Sequence, residues 1–455
     1  MKFKSTLLLL GLFILLLAAV YFFELRDKGE NTEDMLVSVS TDNVEKIIFQ
    51  TDGQTIQFQR QDEEWLITDP VEAKADKYEV NRLADDFTNL RIERVVEEEP
   101  ADLEKYGIPQ KQVELYFSDR EKPEKILIGS ENPLDNTFFA KREEEMRVVL
   151  IPSSLKSLLE KGVFDFRQKN IFQFETDQVK RMKIDADGIH WEAEKDGEDW
   201  FLTKPVNALA QKSKISDILS DLSNLKATAF VSENKQEEGI RNLGLDDPDY
   251  KIEIDFPVDN KRVIFSIHQQ DDKTHAVSSI SPKILQVEDS ILEDLKIEPG
   301  DLRDKEVADF FTWEVTKLKI RKGDISFSLA KDEEESWKFE EPELQEADKE
   351  KVQSFLRKLE SLESQEFVDP PLDLSDLGLD SPQAEIKIWA GQQEDTPEEL
   401  TIQIGKEDSE SKTVFLKNHR FPYVFKVDSS FLEEFPERAE DWKVVSEEQN
   451  KEDKD

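Results

Sequence analysis

The sequence predicts an α+β protein: three tandem repeats of about 135 residues, each an antiparallel sheet with helices on one face, behind one N-terminal transmembrane helix. Three observations predict it. Val44, Val179 and Val315 open the alternating segments VEKIIF, VKRMKI and VTKLKI, at offsets of 135 and 136 residues. Each copy carries one stretch whose apolar residues recur at helical spacing. The chain begins with a single long apolar run.

That run, STLLLLGLFILLLAAVYFF, extends from Ser5 to Phe23, is uncharged and follows Lys2 and Lys4. At about 1.5 Å per residue it covers nearly 30 Å, the thickness of a bilayer's hydrocarbon. It exceeds the apolar core of a cleavable signal peptide, and Val20, Tyr21, Phe22 and Phe23 put bulk where a signal peptidase requires small residues. Residues 5–23 are therefore read as an uncleaved anchor in the lipid bilayer. The lysines keep the N-terminus cytoplasmic and put the bulk of the chain in the periplasm or outside the cell. Residues 1–24 form this start and span, and 25–43 a polar stalk.

The repeats follow at 44–172, 173–310 and 311–442. After each first strand comes a turn, Asp52-Gly53, Asp187-Gly188 or Lys322-Gly323, where glycine accepts the positive φ of a tight hairpin. A strand and a tryptophan follow (Trp65, Trp200, Trp337), and five residues later a proline (Pro70, Pro205, Pro342) that ends the ladder. Next is the helix. Its apolar positions are Val80, Leu83, Ala84, Phe87 and Leu90 in the first copy, with the same 0, 3, 4, 7, 10 steps from Ile215 and from Val352. Asp76 and Asp348 are candidate N-caps of the first and third helices.

Beyond each helix stands a glycine-centred motif: Tyr106-Gly107-Ile108, Leu243-Gly244-Leu245, Leu377-Gly378-Leu379. A run of about four strands follows, represented in the first copy by VELYF, KILIG, FFA and RVVLI. Ser153, Asp289 and Ser429 are read as caps of a closing helix. Phe166-Arg167-Gln168-Lys169 and Leu302-Arg303-Asp304-Lys305 form similar joints, whereas the third copy runs into EDWKVVSEEQNKEDKD, with 443–455 read as an acidic disordered tail. Repeats of this length predict three globular beads in a row.

The W-x-x-x-x-P element, the helix, the [YL]-G-[IL] motif, the I-x-I-G strand and the F-R-x-K joint resemble the bacterial domain of unknown function 4340 family, in three copies over roughly 44–440. The second copy lacks the glycine after RVIFSI and the third lacks the F-R-x-K joint. The resemblance implies a membrane-anchored, exported protein that serves as an accessory of an ABC-transporter-like complex. It implies no catalytic residues.

Charge and composition bound the chemistry. Lys plus Arg number 61 against 103 Asp plus Glu, a formal charge of −42, which argues against nucleic acid as partner. With 37% hydrophobic residues, including 29 Phe and 7 Trp, the chain has the material for cores. It has no cysteine, which excludes disulfides, thiol nucleophiles and cysteine-held metals. His268 and His275 flank a turn and are weighed as a metal pair against two surface histidines, the latter preferred. Asp185-Ala186-Asp187-Gly188 resembles a calcium loop, but its glycine is misplaced and a hairpin turn is preferred. Trp65, Trp200 and Trp337 are read as core residues before sugar-stacking ones. No catalytic, cofactor-binding or metal residue is nominated. The expectation is a non-enzymatic scaffold that meets membrane or envelope proteins. The alternatives are an exported cell-envelope hydrolase using acidic residues and a ligand- or calcium-binding module.

Overall fold

The computed structural model describes residues 35–444, apart from 52, 171–172, 259–260, 333 and 392–397. The anchor 5–23 and residues 445–455 lie outside the described residues. Among the described residues no helix is long and apolar enough to cross a membrane.

The first sheet is built from β1 (Val44–Thr51), β2 (Gln54–Gln61), β3 (Glu64–Asp69), β4 (Ala73–Lys74), β5 (Arg94–Glu97), β6 (Lys111–Phe117), β7 (Glu124–Glu131), β8 (Phe138–Arg142) and β9 (Val148–Ile151). Their order is β4-β3-β2-β1-β6-β7-β8-β9-β5. A second nine-stranded sheet runs from β10 (Arg181–Ala186) to β18 (Ile284–Val287) and a third from β19 (Val315–Lys322) to β27 (Val424–Asp428), both in the same order. All pairings are antiparallel, and the register repeats. Ile47 faces Phe58 and Leu115, Met182 faces Ala193 and Ile254, and Leu318 faces Leu329 and Ile388. Alternation of apolar and polar residues sets this, because a one-residue slip would turn each buried side chain to water.

One helix of three turns crosses the inner face of each sheet: α1 (Lys77–Thr88), α2 (Lys212–Asn224) and α3 (Lys349–Glu360). Val80, Leu83, Ala84 and Phe87 of α1 are buried in the core that Phe49, Phe58 and Trp65 line from the sheet. Full burial of a side chain the size of Leu or Phe is worth about 1.5–3 kcal/mol, so this stripe holds the helix in place. The fifth stripe position lies past each helix end. Leu90 and Leu225 are nevertheless buried, and Leu362 partly so.

The architecture is mostly β, not α+β. The tryptophan stands on a strand of its own, paired on both sides, and two further strands of two to six residues per repeat extend the sheet ends. The closing helix shrinks to one turn at Lys156–Leu159 and Ile291–Leu295, and to a 3₁₀ segment at Ser429–Glu434. Ser153, Asp289 and Ser429 do not cap these segments. The cap positions are Leu155 for the first α-turn, Ser290 and Asp428, of which Asp428 alone accepts a backbone N–H, from Ser430 at 2.9 Å.

The other face of each sheet carries a smaller core. In the first copy Tyr106 and Ile108 of the glycine motif pack with Val148, Leu127 and Phe139. Gly107 has φ +66°, and a Cβ on Gly129 would collide with the Tyr106 carbonyl oxygen and the Ile108 side chain. Both glycines are therefore required by close backbone approach.

Two boundaries read from sequence shift. Leu36 and Val37, within the stretch read as stalk, are buried in the first core, and both N–H groups bond to the Leu90 carbonyl. Val307, Ala308 and Phe310 likewise belong to the third core, as does Ala208 of the second repeat. By contact the chain divides after Asn170, and the second and third repeats form one compact unit, not separate beads. The third copy also has a joint. Asp348 N–H bonds to Trp442 O and Ala347 bridges Lys443, as Gln211 bonds to Leu302 and Ala210 bridges Arg303. Trp442-Lys443 thus occupies the place of Phe166-Arg167 and Leu302-Arg303, and Lys443 is no part of a tail.

Candidate functional site

The residues weighed for chemistry resolve into structural roles. His268 and His275 pair across the hairpin whose turn holds Asp271 and Asp272 at positive φ. They are not two surface residues: His275 is only 6% exposed. Burial, then Lys273 and His268, hold its imidazole below the ordinary histidine range. His268 takes the position of Gly129 and Gly405 and fills the space over Gly244, where a Cβ would strike its ring. Its Nδ1 stands 2.8 Å from Asp249 without hydrogen-bond alignment. No group of three His, Asp or Glu among the described residues is placed to hold a metal ion. Asp187 (φ 45°) and Gly188 (φ 86°) make a two-residue hairpin turn between Ala186 and Ile189. Trp65, Trp200 and Trp337 are buried in the three cores.

Where the second and third repeats meet, Arg303 is buried. Its Nη1 donates to Asp369 at 2.9 Å, and its guanidinium lies 3.8 Å from the Phe367 ring centre and 4.5 Å from that of Tyr423. Burial pushes the Tyr423 hydroxyl up to about 12. Asn418 Nδ2 donates to Val307 O at 2.9 Å, and Val307 N–H donates to Leu362 O at 3.1 Å. Beside this clamp, burial, followed by the charges of Asp309, Glu363 and Asp199, raises Asp304. Burial, Asp304, Asp309, Glu363 and Glu360 raise Glu306.

Among the hollows on the described residues, two bear on the chemistry. One, of about 590 Å³, lies over the second sheet, and its cations are matched: Lys180 with Glu194, Arg181 with Glu192 and Arg262 with Asp255. The other, of about 340 Å³, lies on the third repeat between the start of β19 and α3. Three cations (Lys331, Lys349, Arg357), two carboxylates (Glu335, Glu360), two indoles (Trp313, Trp337), Thr312 and Gln353 line it. Thr312 Oγ1 donates to Glu360 at 2.6 Å, and Lys331 Nζ to the Trp313 carbonyl at 3.1 Å. Lys349 and Arg357 make no ion pair with a described residue.

The frame of this hollow is common to the copies, its contents are not. A threonine stands three residues before each opening valine (Thr41, Thr176, Thr312), and a cation faces each tryptophan across the strands (Arg60, Lys195, Lys331). But Trp313 replaces Asp42 and Asp177, and Arg357 replaces Asp85 and Ser220. Sequence reasoning passed over Trp313 because it searched for what recurs. Laying TDNV, TDQV and TWEV side by side exposes it.

A family model described as domain of unknown function (DUF4340) matches residues 65–201, 200–372 and 337–452. Each match begins at or beside a recurring tryptophan, so the family's unit is phased one hairpin later than the sheets. No curated protein matches the chain. Two solved structures from Pseudomonas aeruginosa, the DNA polymerase III subunit beta and the DNA polymerase sliding clamp, align over 88% and 86% of this chain and 93% of theirs, at 9% identity and a TM-score of 0.16. Likeness at that score carries no argument.

Proposed function

The chain belongs to the DUF4340 family, and from that premise we propose that it is a single-pass, membrane-anchored extracytoplasmic interaction protein, an accessory of an ABC-transporter-like membrane complex. Residues 5–23 hold it in the bilayer, and the three sheets present contact surface to membrane or envelope proteins. Anchoring raises the local concentration of those surfaces beside membrane partners. One observation carries the reading: what the three copies share is core and turn. The tryptophans, the helix stripes and the glycine motifs recur, while side chains on the surface diverge from copy to copy. Triplication of a frame with freely varying surface suits recognition. A hydrolase would instead need two carboxylates facing each other across a cleft. In the third-repeat hollow Glu360 accepts from Thr312 and Glu335 lies 3.7 Å from Lys331.

Cross-linking in intact cells that express the full chain, followed by identification of the attached proteins, tests this. The expected result is recovery in the membrane fraction, digestion by protease added from outside, and attachment to transporter subunits. Recovery from the cytosol with residues 5–23 intact, or cross-links to soluble proteins alone, overturns it.

A further inference from the structure

We infer that the third-repeat hollow binds an acidic sugar, a pyranose ring bearing a carboxylate. The site goes beyond the scaffold reading and does not rest on it.

The shelf is aromatic. Trp313 lines the hollow, and Phe311, outside the lining, stacks on it at 6.0 Å with 19° between the planes; the two remain 66% and 55% exposed. Large rings left in water forgo about 25 cal/mol for each Å² they could bury. The same place in the other copies holds Asp42 and Asp177, so the frame does not require a ring there. A flat indole matches the flat C–H face of a pyranose.

The wall is cationic in a chain of formal charge −42. Lys331 is engaged by the Trp313 carbonyl and lies near Glu335, which leaves Lys349 and Arg357 as the cations without an ion pair among the described residues. Arg357 is the planar donor suited to grip a carboxylate.

The floor holds an unsatisfied donor. Trp337 is 1% exposed, and its Nε1, itself closed to solvent, has no acceptor among the described residues. In the first copy the corresponding Trp65 Nε1 donates to Asn81 Oδ1 at 2.8 Å. The third copy has Gln353 at that helix position, in the lining of the hollow but not accepting from the indole. A buried donor without a partner costs about 1–3 kcal/mol, a cost that a shift of Gln353 on ligand entry would relieve.

The mixture selects the ligand class. A bare anion would satisfy Lys349 and Arg357 but would face Glu335 and Glu360. A ligand with hydroxyls can donate to those carboxylates while its own carboxylate meets the cations. The volume, about 340 Å³, suits one sugar ring and sits at the small end of ligand pockets. An acidic peptide shares the charge but not the hydroxyls or the flat face.

Calorimetry on the full chain in mild detergent at low salt tests this, with tetramers of galacturonate, glucuronate and mannuronate as probes. A neutral galactose tetramer and tetraglutamate serve as comparisons. Saturable binding of at least one uronate is expected, with the neutral sugar and the peptide at least about tenfold weaker, the value of one charge-assisted contact. Trp313→Asp and Arg357→Ser, which install residues found in the other copies, should each weaken the uronate at least about tenfold. Unchanged circular dichroism shows that the variants are folded. The assignment is overturned if no uronate binds, if tetraglutamate or the neutral sugar binds equally, or if either folded variant keeps full affinity.

Discussion

Arg303 carries its charge in a nearly closed space, 4% exposed, with one carboxylate and two aromatic faces for company. Removing it leaves Asp369 facing a void between Phe367 and Tyr423. Asp369 keeps about a third of its side chain in water, so the loss belongs at the low end for a broken buried pair. Arg303→Ala should destabilise the unit formed by the second and third repeats by about 3 kcal/mol, read as a drop in urea midpoint. Arg303→Lys should recover less than half of that, because an ammonium has no planar face to lay on a ring. A midpoint unmoved by alanine would mean that the clamp adds nothing.

Asp304 and Glu306, next to it, act in the opposite sense. Burial and neighbouring carboxylates raise both in the folded chain. A carboxyl raised on folding takes up protons as the chain folds, so its penalty is full above the raised value. The penalty is relieved as pH falls through that value towards the ordinary carboxylate range. Asp304→Asn preserves an acceptor for the Glu306 N–H, which Asp304 Oδ1 now receives at 2.9 Å. It should raise the urea midpoint at pH 7, and the gain should fade to nothing by about pH 4. A gain that persists at acid pH would assign the effect to packing.

At the scale of elements, the three long helices differ at one end. Asp76 accepts from Tyr78 and Glu79 N–H at 3.0 and 3.3 Å, and Asp348 from Glu350 and Lys351 at the same distances. Gln211, in the same place on α2, caps nothing, and the first turn carries Lys212 and Lys214 against the helix dipole. Gln211→Asp should stabilise the second repeat by about 1 kcal/mol, with no gain from Gln211→Ala, as measured by thermal unfolding of the two variants. The two aspartate caps were legible in the sequence because a cap precedes an apolar stripe by a fixed step. The hairpins, the stripes and the succession of the long strands along the chain were legible for the same reason, since period and spacing encode them, whereas the sheet order was not. The pairs Ala73–Lys74 and Arg94–Glu97 were not, since two to four residues without alternation become strand only when a neighbour offers its free edge. The Trp442-Lys443 joint was hidden by changed side chains over an unchanged backbone bridge. The third-repeat hollow was hidden by its nature, because it lies where one copy departs from the other two.

At the scale of the whole molecule, charge sets a further expectation. Acidic residues exceed basic ones by 42, and many of the cations already sit in ion pairs on sheet faces, such as Arg262 with Asp255 at 2.6 Å. Salt screens both effects. It weakens such pairs, each worth about 0–1 kcal/mol at an exposed site. It also relieves repulsion among the excess carboxylates, which reaches over a Debye length of about 30 Å at 0.01 M and only about 3 Å at 1 M. The excess is summed over the surface while the pairs are local, so repulsion dominates. Melting temperature should therefore rise with sodium chloride between 0.01 and 0.5 M, by roughly 3–6 °C if relief amounts to about 1–2 kcal/mol. The rise should flatten above the concentration at which the screening length falls below the spacing of neighbouring carboxylates. Chloride is the salt to use, because sulfate would stabilise by exclusion from the surface whatever the charge. A melting temperature that falls with chloride would place the ion-pair lattice, not the acidic excess, in control of stability, and would predict that neutralising surface glutamates weakens the fold.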